Sequence, residues 1–588
     1  MKRIAVIDRE LCKPNKCGMP CIVKCPLNKT GEKTIFYDEE NKMIIIDENT
    51  CIGCGICVKS CPFNAITIVN LPYEPDEKPV HRFGINGFVL YRLPYPIVGQ
   101  VVGILGPNGI GKTSALRILN GEVKPNFGEV GKEYDVKELV KIFRGTELQN
   151  YLESLSEKKI KIAYKPQRVD LLPKYFGDKK VSEVLLKVDE RGVVDELLKI
   201  FDMISIKDKN IATLSGGELQ ILSVVATIAK NADFYYFDEP TSFLDVFQRL
   251  RLANVIRDYC KDRAVLIVDH DLAFMDVVAD RVHIFYGQPA VYGIVSNPYS
   301  ARVGINSFLD GYIKEANVRF RVEKIVFDRF IPIEPSKETL VSFTEITKKL
   351  DGFRLKVSPG EIKKKEVLVV FGANALGKST FAKILAGELK QDSGEISSNV
   401  EISYKPQMIK IDFDGTLEEL FIQNDISVHS SSFKNEILRP LNLERLLPKN
   451  VKKFSGGEIQ RVAIALTLTK KADLYILDEP SAFLDVEERL NLAKSLRRFI
   501  ENNEVSMLVI DHDLLMLSQI GSRAMVFFGK PGVEGHASMF SLKDGINEFL
   551  RQVGVTFRFD KDTKRPRANK PGSALDREQK SKGIYFYV

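Results

Sequence analysis

Long apolar runs are missing from this 588-residue chain. The longest weakly polar stretch, Pro94 to Gly111, is broken by Gln, Asn, Pro and several Gly. It falls short of the roughly 18 unbroken apolar residues that a membrane-spanning helix needs, so no membrane helix and no membrane partner are expected. No secretory leader is expected either, because the N-terminus turns at once into cysteine-rich sequence, and a cytoplasmic location is expected. No long heptad tract separates the motifs described below, which excludes a coiled-coil arm. Beyond residue 61 cysteine is almost absent; Cys260 alone remains and reads as a buried core thiol. Charge is not extreme, at +7 overall, although Lys561 to Val588 carries eight Lys/Arg against three Asp/Glu and reads as a basic tail for a polyanionic partner or as a solvated terminus. With 44% hydrophobic residues, the chain is rich enough for three or four domains, each with its own core.

Eight of the nine cysteines crowd into the first 61 residues. Cys51, Cys54, Cys57 and Cys61, followed by Pro62, fit the C-x2-C-x2-C-x3-C-P run of bacterial ferredoxins, and Cys12, Cys17, Cys21 and Cys25, followed by Pro26, form a looser second run. Three closely spaced thiolates hold three corners of a cubane, and the fourth cysteine reaches the other cluster. The ferredoxin resemblance implies one [4Fe-4S] cluster on Cys12, Cys17, Cys21 and Cys61, and a second on Cys51, Cys54, Cys57 and Cys25. Zinc is the competing reading, since C-x2-C pairs also suit a tetrahedral ion, although one thiolate is too closely placed for a paired-knuckle site. A disulfide framework is not expected, since no secretory leader is expected and a reducing compartment does not favour disulfides.

After a proline-rich linker over 71–79 the chain repeats itself. The loop Gly106-Pro107-Asn108-Gly109-Ile110-Gly111-Lys112-Thr113 returns as Gly372-Ala373-Asn374-Ala375-Leu376-Gly377-Lys378-Ser379, each time after a strand-like run and before a helical one. Both are Walker A loops, whose backbone N–H groups close on phosphates while the Lys reaches the β- and γ-phosphates and the Thr or Ser hydroxyl meets Mg²⁺. Ala375 stands where the first loop has Gly109, which makes the second loop less permissive. The motif YKPQ ends at Gln167 and again at Gln407; SGGE spans Ser215, Gly216, Gly217 and Glu218, then Ser455, Gly456, Gly457 and Glu458. Apolar strands end in Asp238-Glu239 and Asp478-Glu479, FLD ends at Asp245 and Asp485, and VDH and IDH end at His270 and His512. The spacing from Gln to signature Ser is 48 residues in both copies.

From about residue 80 to about residue 540 the chain resembles the ATP-binding cassette superfamily. The expected fold is α/β: two P-loop nucleotide-binding domains in tandem behind a ferredoxin-like α+β head. The resemblance implies that Asp238 and Asp478 hold Mg²⁺ with Thr113, Ser379, Gln167 and Gln407, and that Glu239 and Glu479 orient and deprotonate the attacking water. It implies that His270 and His512 contact the γ-phosphate, and that Ser114, Thr380, Asp245 and Asp485 belong to the nucleotide sites. Each signature serves the opposite cassette, so Lys112, Asp238 and Glu239 pair with Ser455 and Gly457, and Lys378, Asp478 and Glu479 with Ser215 and Gly217. Phe88 and Phe353, 24 and 25 residues before the Walker lysines, read either as adenine platforms or as core strand residues. After the signature the second copy has Gln460-Arg461 but the first Gln220-Ile221, so unequal sites are expected.

A tandem ATPase with a ferredoxin-like head and no membrane segment resembles the ABC-E family, the ribosome-recycling factors also called RNase L inhibitor proteins of archaea and eukaryotes. Gly304-Ile-Asn-Ser-Phe-Leu309 recurs as Gly545-Ile-Asn-Glu-Phe-Leu550, which the resemblance makes a pair of hinges. Expected divisions are a head over 1–75, cassette 1 over 76–296, hinge 1 over 297–330, cassette 2 over 331–538, and hinge 2 with the basic tail over 539–588. The family resemblance implies ATP-driven splitting of ribosomes by a monomer, with the small subunit, its rRNA and a release factor as partners. The rival is an ATP-gated electron carrier. Cassette 1 also carries 26 extra residues between its Walker lysine and Gln167. Val136, Leu139, Val140 and Phe143, then Leu148, Tyr151, Leu152 and Leu155, predict two amphipathic helices at about 130–160, with Gly145 as a stop and Thr146 and Gln149 as a capping box. Lys137, Lys141 and Arg144 are its candidate contacts to rRNA phosphates.

Overall fold

The computed structural model describes residues 3–586 except 71–77, 133, 146, 158, 328–333, 351, 398–399, 408 and 410. Most of the proline-rich linker and the Thr146 half of the capping box therefore lie outside the described residues. Among those described, no helix is long and apolar enough to cross a membrane.

The head pairs strand Arg3–Ile7 antiparallel with Ile66–Asn70 and carries a hairpin of Ile35–Asp38 with Met43–Ile46. Its helices are only four or five residues long, and three of them, Pro14–Cys17, Pro20–Val23 and Pro26–Lys29, start on proline, whose fixed φ suits a first helical turn. So small a unit has little aliphatic core. Cys21, Cys25, Cys51 and Cys57 fill it, packed with Ile7, Ile35 and Ile44.

Both cassettes build the same sheet. In cassette 1 the strands run His81–Arg82, Val89–Tyr91, Tyr292–Val295, Arg281–Gln288, Val101–Leu105, Ala264–Val268, Phe234–Asp238 and Ile162–Lys165. Cassette 2 repeats the order with Ile346–Leu350, Phe353–Val357, Glu534–Ser541, Arg523–Lys530, Val367–Phe371, Ser506–Ile510, Leu474–Asp478 and Ile402–Lys405. The last five strands of each are parallel and their centre is buried on both faces, hence continuous apolar runs such as Val-Val-Gly-Ile-Leu and Val-Leu-Val-Val-Phe. Walker loop and Asp-Glu pair both leave carboxyl ends of these strands, where open α/β sheets hold ligands.

The insert of cassette 1 forms the two expected helices, Val136–Ile142 and Glu147–Ser156. Gly145 takes φ +83° between them, and its N–H donates to Gln149 Oε1 at 2.7 Å. Leu139, Leu148, Tyr151 and Leu152 are buried against the same core as Leu119 and Tyr236, and the Tyr151 hydroxyl donates to Leu119 O at 2.7 Å. Each buried side chain contributes roughly 2 kcal/mol, so the insert is part of the cassette 1 core rather than a detachable ornament.

The Gly-Ile-Asn repeats, expected as hinges, lie in helices Ala301–Asp310 and Leu542–Val553, burying Ile305, Phe308 and Leu309 and their counterparts Ile546, Phe549 and Leu550. The basic tail is folded, which corrects its reading as a solvated arm. Arg565, wholly buried, pairs with the buried Asp276 of cassette 1, Arg567 reaches the same carboxylate at 3.1 Å, and Lys580 and Lys582 pair with Asp576 and Glu578. Four of its eight cations thus face internal partners.

Candidate functional site

The two Walker loops are superimposable in their bonding. Lys112 Nζ donates to Gly106 O and Pro107 O, both at 2.8 Å, and Lys378 Nζ to Gly372 O and Ala373 O at 2.8 and 2.7 Å. These bonds hold each buried ammonium at the mouth of its loop, and burial lowers both pKa values. Gly111 and Gly377 begin the helices Lys112–Leu119 and Lys378–Leu385 at φ +95° and +93°. A Cβ on Gly111 would lie 2.9 Å from the Phe88 ring, and one on Gly377 3.1 Å from that of Phe353. The two phenylalanines therefore brace the Walker turns, half-buried at the edge of the core, so both readings of them survive.

Thr113 and Ser379, together with Ser114 and Thr380, lie in the first turns of those helices. Burial pushes Asp238 and Asp478 up to about 6, against the lowering pull of the Thr113 and Ser379 hydroxyls and of the nearby lysines. Asp238 Oδ1 is buried with no hydrogen-bond partner, and a carboxylate so placed fits a divalent cation beside the Thr113 hydroxyl. Next in sequence, Glu239 and Glu479 adopt φ +47° and +48°, a left-handed backbone that costs a non-glycine residue about 1–2 kcal/mol. Their peptide N–H groups are held by Val268 O and Ile510 O at 2.8 and 2.7 Å. Turned this way, Glu239 Oε1 accepts from Gln167 Nε2 and Glu479 Oε1 from Gln407 Nε2, both at 2.7 Å. His270 Nε2 stands 3.8 Å from Glu239 Oε1 and His512 Nε2 3.4 Å from Glu479 Oε1. Burial, with Lys112 and Arg489 nearby, keeps His270 neutral by depressing its pKa. Against burial, which would raise it, His512 and Lys378 hold Glu479 down at about 2.

Three pairs of residues in these sites were not singled out in the sequence. Lys165 donates to Asp238 O at 2.9 Å and Lys405 to Asp478 O at 2.7 Å, pinning the strand ends; burial lowers both to about 8. Their signal was the Lys of YKPQ, a buried position that a polar residue occupies twice. Gln220 and Gln460 donate to the carbonyls of Glu239 and Glu479. Arg249 and Arg489, on the helices Val246–Tyr259 and Val486–Asn503 that follow the FLD aspartates, are the third pair.

Both signature helices start with a capping box. Ser215 Oγ accepts from Glu218 N at 3.3 Å while Glu218 Oε2 accepts from Ser215 N at 2.7 Å, and Ser455 with Glu458 repeats both distances. The carboxylates of Glu218 and Glu458 are thus engaged in building the helix end, with Lys209 and Lys449 beside them. Gly216 and Gly217 pack beneath Phe243, and Gly456 and Gly457 beneath Phe483.

Contacts between the cassettes run from Walker loops to the FLD aspartates. Asn108 N donates to Asp485 Oδ2 at 3.0 Å and Asn374 N to Asp245 Oδ2 at 2.7 Å, with the Phe243 and Phe483 rings edge to face between them. The cassettes are therefore paired head to tail. Among the described residues no hydrogen bond joins Ser455 or Gly457 to the Lys112 loop, or Ser215 or Gly217 to the Lys378 loop. Arg461 donates to Leu441 O and Asn442 O and stands 3.5 Å from Glu488, which accepts from Asn108 Nδ2. In cassette 1 Ile221, wholly buried, replaces this guanidinium.

In the head, Cys12, Cys17 and Cys61 act on Cys21, and Cys51 and Cys54 on Cys57. Burial, then these neighbours, push Cys57 up to about 12, and burial with its own neighbours pushes Cys21 to about 11. Thiols so crowded are poor thiolates by themselves and fit iron, which deprotonates them on coordination. Cys25 is buried in the same core at the start of its helix. No three described His, Cys, Asp or Glu residues converge tightly enough to hold a single metal ion.

Comparison with known proteins agrees with this geometry. Residues 98–242 and 355–482 match the ABC transporter family model, residues 44–67 the 4Fe-4S binding domain, and residues 3–33 the possible Fer4-like domain of RNase L inhibitor. The chain is 48% identical to an uncharacterized ABC transporter ATP-binding protein of Methanocaldococcus jannaschii, covering 100% of this chain and 98% of that one. It is 42% identical to translation initiation factor RLI1 of Saccharomyces cerevisiae, again over 100% and 98%. Among solved structures it is similar to a model of ribosome-bound archaeal Pelota and ABCE1, with TM-score 0.94, 48% identity and coverage of 100% and 99%. A crystal structure of archaeal ribosomal stalk protein aP1 with archaeal ribosome recycling factor aABCE1 gives TM-score 0.82 at 48% identity, over 88% of this chain and 100% of that one.

Proposed function

The chain belongs to the ABC-E, or RNase L inhibitor, family of tandem ABC ATPases, and from that premise we propose that it is an ATP-driven ribosome recycling factor that splits ribosomes into subunits after termination. Its partners are the ribosome, chiefly small-subunit rRNA and protein, and a release factor; it acts in the cytoplasm as a monomer whose two cassettes form an internal dimer, and it stays on the small subunit after splitting.

The carrying observation is that the head is fastened to both cassettes. The buried amide of Asn86, in cassette 1, accepts from Ile46 N and donates to Ile46 O and Ala5 O of the head, while Arg82 forks onto Glu48. On the other side Glu10, two residues before Cys12, lies 3.9 Å from Lys449 Nζ and 3.8 Å from Lys453 Nζ, and Lys449 also pairs with Glu458 of the second signature. Movement of that signature toward a nucleotide therefore pulls on the head. Exposed pairs of this kind contribute about 1 kcal/mol or less, weak enough to exchange partners during a cycle.

In this reading Glu239 and Glu479 are the general bases, positioned by Gln167 and Gln407, and His270 and His512 face the γ-phosphate. Lys112 and Lys378 neutralise the phosphates, and Thr113, Asp238 and Gln167, with Ser379, Asp478 and Gln407, hold Mg²⁺. Bound Mg²⁺ supplies charge neutralisation in phosphoryl transfer. Ser455 with Gly457, and Ser215 with Gly217, complete the two sites on closure. The eight head cysteines hold two [4Fe-4S] clusters in the quartets expected above, and their contribution is rigidity of the head.

Sucrose-gradient analysis of purified ribosomes with the protein and ATP tests this: subunits should replace intact ribosomes. Intact ribosomes, together with a cluster potential that shifts on nucleotide binding, would favour the electron carrier instead. In the same assay K137E/K141E/R144E, three exposed insert positions, should weaken small-subunit binding and lower the salt slope by about two units; an unchanged salt series removes the insert from the interface.

A further inference from the structure

Between the cassettes, on their pseudo-twofold axis, lies a cavity walled by Val246, Leu250, Val486 and Leu490 and bounded by two nearly buried ion pairs. Arg249 Nη1 donates to Asp271 Oδ2 at 2.6 Å, and Arg489 Nη1 to Asp513 Oδ2 at 3.1 Å. Asp271 and Asp513 directly follow the switch histidines His270 and His512. Each aspartate also caps the next helix, accepting from Phe274 N or Met516 N.

The same arginines face the other way as well. Arg249 Nε donates to Leu244 O at 2.7 Å and Arg489 Nε to Leu484 O at 2.8 Å. Leu244 and Leu484 immediately precede Asp245 and Asp485, whose carboxylates accept from Asn374 N and Asn108 N of the opposite Walker loops. Two continuous chains result. One runs from the Lys378 loop through Asn374, Asp245, the Leu244 carbonyl, Arg249 and Asp271 to His270, which belongs with the Lys112 loop. The other runs from the Lys112 loop through Asn108, Asp485, the Leu484 carbonyl, Arg489 and Asp513 to His512.

We infer that Arg249 and Arg489 are positioning residues that let the nucleotide state of each ATP site set the switch histidine of the other. When phosphate moves one Walker loop, the asparagine N–H pulls the aspartate, the adjoining carbonyl shifts the rigid guanidinium fork, and the fork turns the loop that carries the opposite histidine. Arginine suits this task because one planar group bonds two partners in fixed relation; lysine cannot. The low dielectric of the enclosed axis strengthens the coupling, and Arg489 acts across the interface on Asp271 as well.

The inference rests on the two-site ATPase reading but not on the ribosome, so it is tested on the cluster-loaded full-length protein without ribosomes. Glu479→Gln stalls one site. Its ATPase turnover relative to wild type is compared with that of R249Q/E479Q relative to R249Q. The relay requires these ratios to differ by about fivefold or more, the ordinary size of a site–site coupling. D271N, which keeps the helix cap, should change the ratio as R249Q does, and R249Q/D271N no further; R489Q should act in the same way on the ratio measured with Glu239→Gln. If R249Q does not fold, as judged by cluster absorbance and melting temperature, R249K carries the test. Equal ratios in the presence and absence of Arg249 overturn the relay, whatever the fate of ribosome splitting.

Discussion

In the first cassette Gln167 Nε2 meets Glu239 Oε1 at 2.7 Å, and in the second Gln407 meets Glu479 at the same distance, yet a few residues away the two copies diverge. Cassette 2 has Arg461 beside Glu488 where cassette 1 has Ile221 and Gln248. Cassette 1 buries His283 in its sheet at the position of Met525 in cassette 2, paired in register with Ile104 as Met525 is with Val370. Its Walker loop has Gly109 at φ +72°, while Ala375 takes φ +60° in the other. The groups proposed to meet the phosphates are duplicated to within a few tenths of an ångström; the scaffold around them is not. A geometry proposed for phosphoryl transfer tolerates little change, whereas a core position tolerates any side chain of suitable volume whose polar atoms are satisfied.

The largest way to break the comparison is at the carboxylates. Glu239→Gln and Glu479→Gln should each slow hydrolysis at their own site about 10²–10⁴-fold while ATP remains bound. Because Arg461 and Glu488 border only the site built on the Lys112 loop, the residual turnovers of the two single mutants should differ. Wild-type turnover in both would sink the assignment of these residues.

A smaller effect separates the cassettes in acid. Burial lowers His283 from the usual value of 6.5 to about 4, and its Nδ1 is 2.8 Å from Ser296 O. The unfolded chain therefore binds a proton that the folded one refuses. The stability contributed by neutral His283 is present above about pH 6.5 and is lost as pH falls toward 4, in total about 3 kcal/mol. Hydrogen exchange at pH 7 and pH 5 should show cassette 1 loosening more than cassette 2, and His283→Met should narrow the gap. Equal acid sensitivity in wild type would show that the histidine is not the cause.

Smallest is the Walker loop itself. Ala375→Gly relieves a left-handed alanine but gives the unfolded chain more freedom, so the net gain in melting stability should stay within about 1 kcal/mol. Gly109→Ala should cost about the same in cassette 1. A loss of several kcal/mol on Ala375→Gly would mean that the methyl group makes contacts beyond the backbone.

The ferredoxin run, two Walker loops, two signatures and two Asp-Glu strand ends were all legible in sequence, because phosphate and cluster binding demand fixed residue types at fixed local spacing. Helical periodicity likewise marked the insert as two helices. What spacing could not reveal was the insert's buried face: Tyr151 reaches Leu119 and Tyr236, 32 and 85 residues away, and only the packed sheet brings them together. The basic tail misled for a similar reason, since its charge count carried no sign that Arg565 and Arg567 close on Asp276, more than 280 residues upstream. Arg249 and Arg489 were invisible as anything but surface-type residues on a helix. Sequence by itself determined which groups can do the chemistry, since motifs of local spacing are written along the chain. Tertiary structure alone decided which site each Walker loop touches and which arginine stands between the two histidines, because those contacts join residues that meet only when two separately folded sheets come face to face.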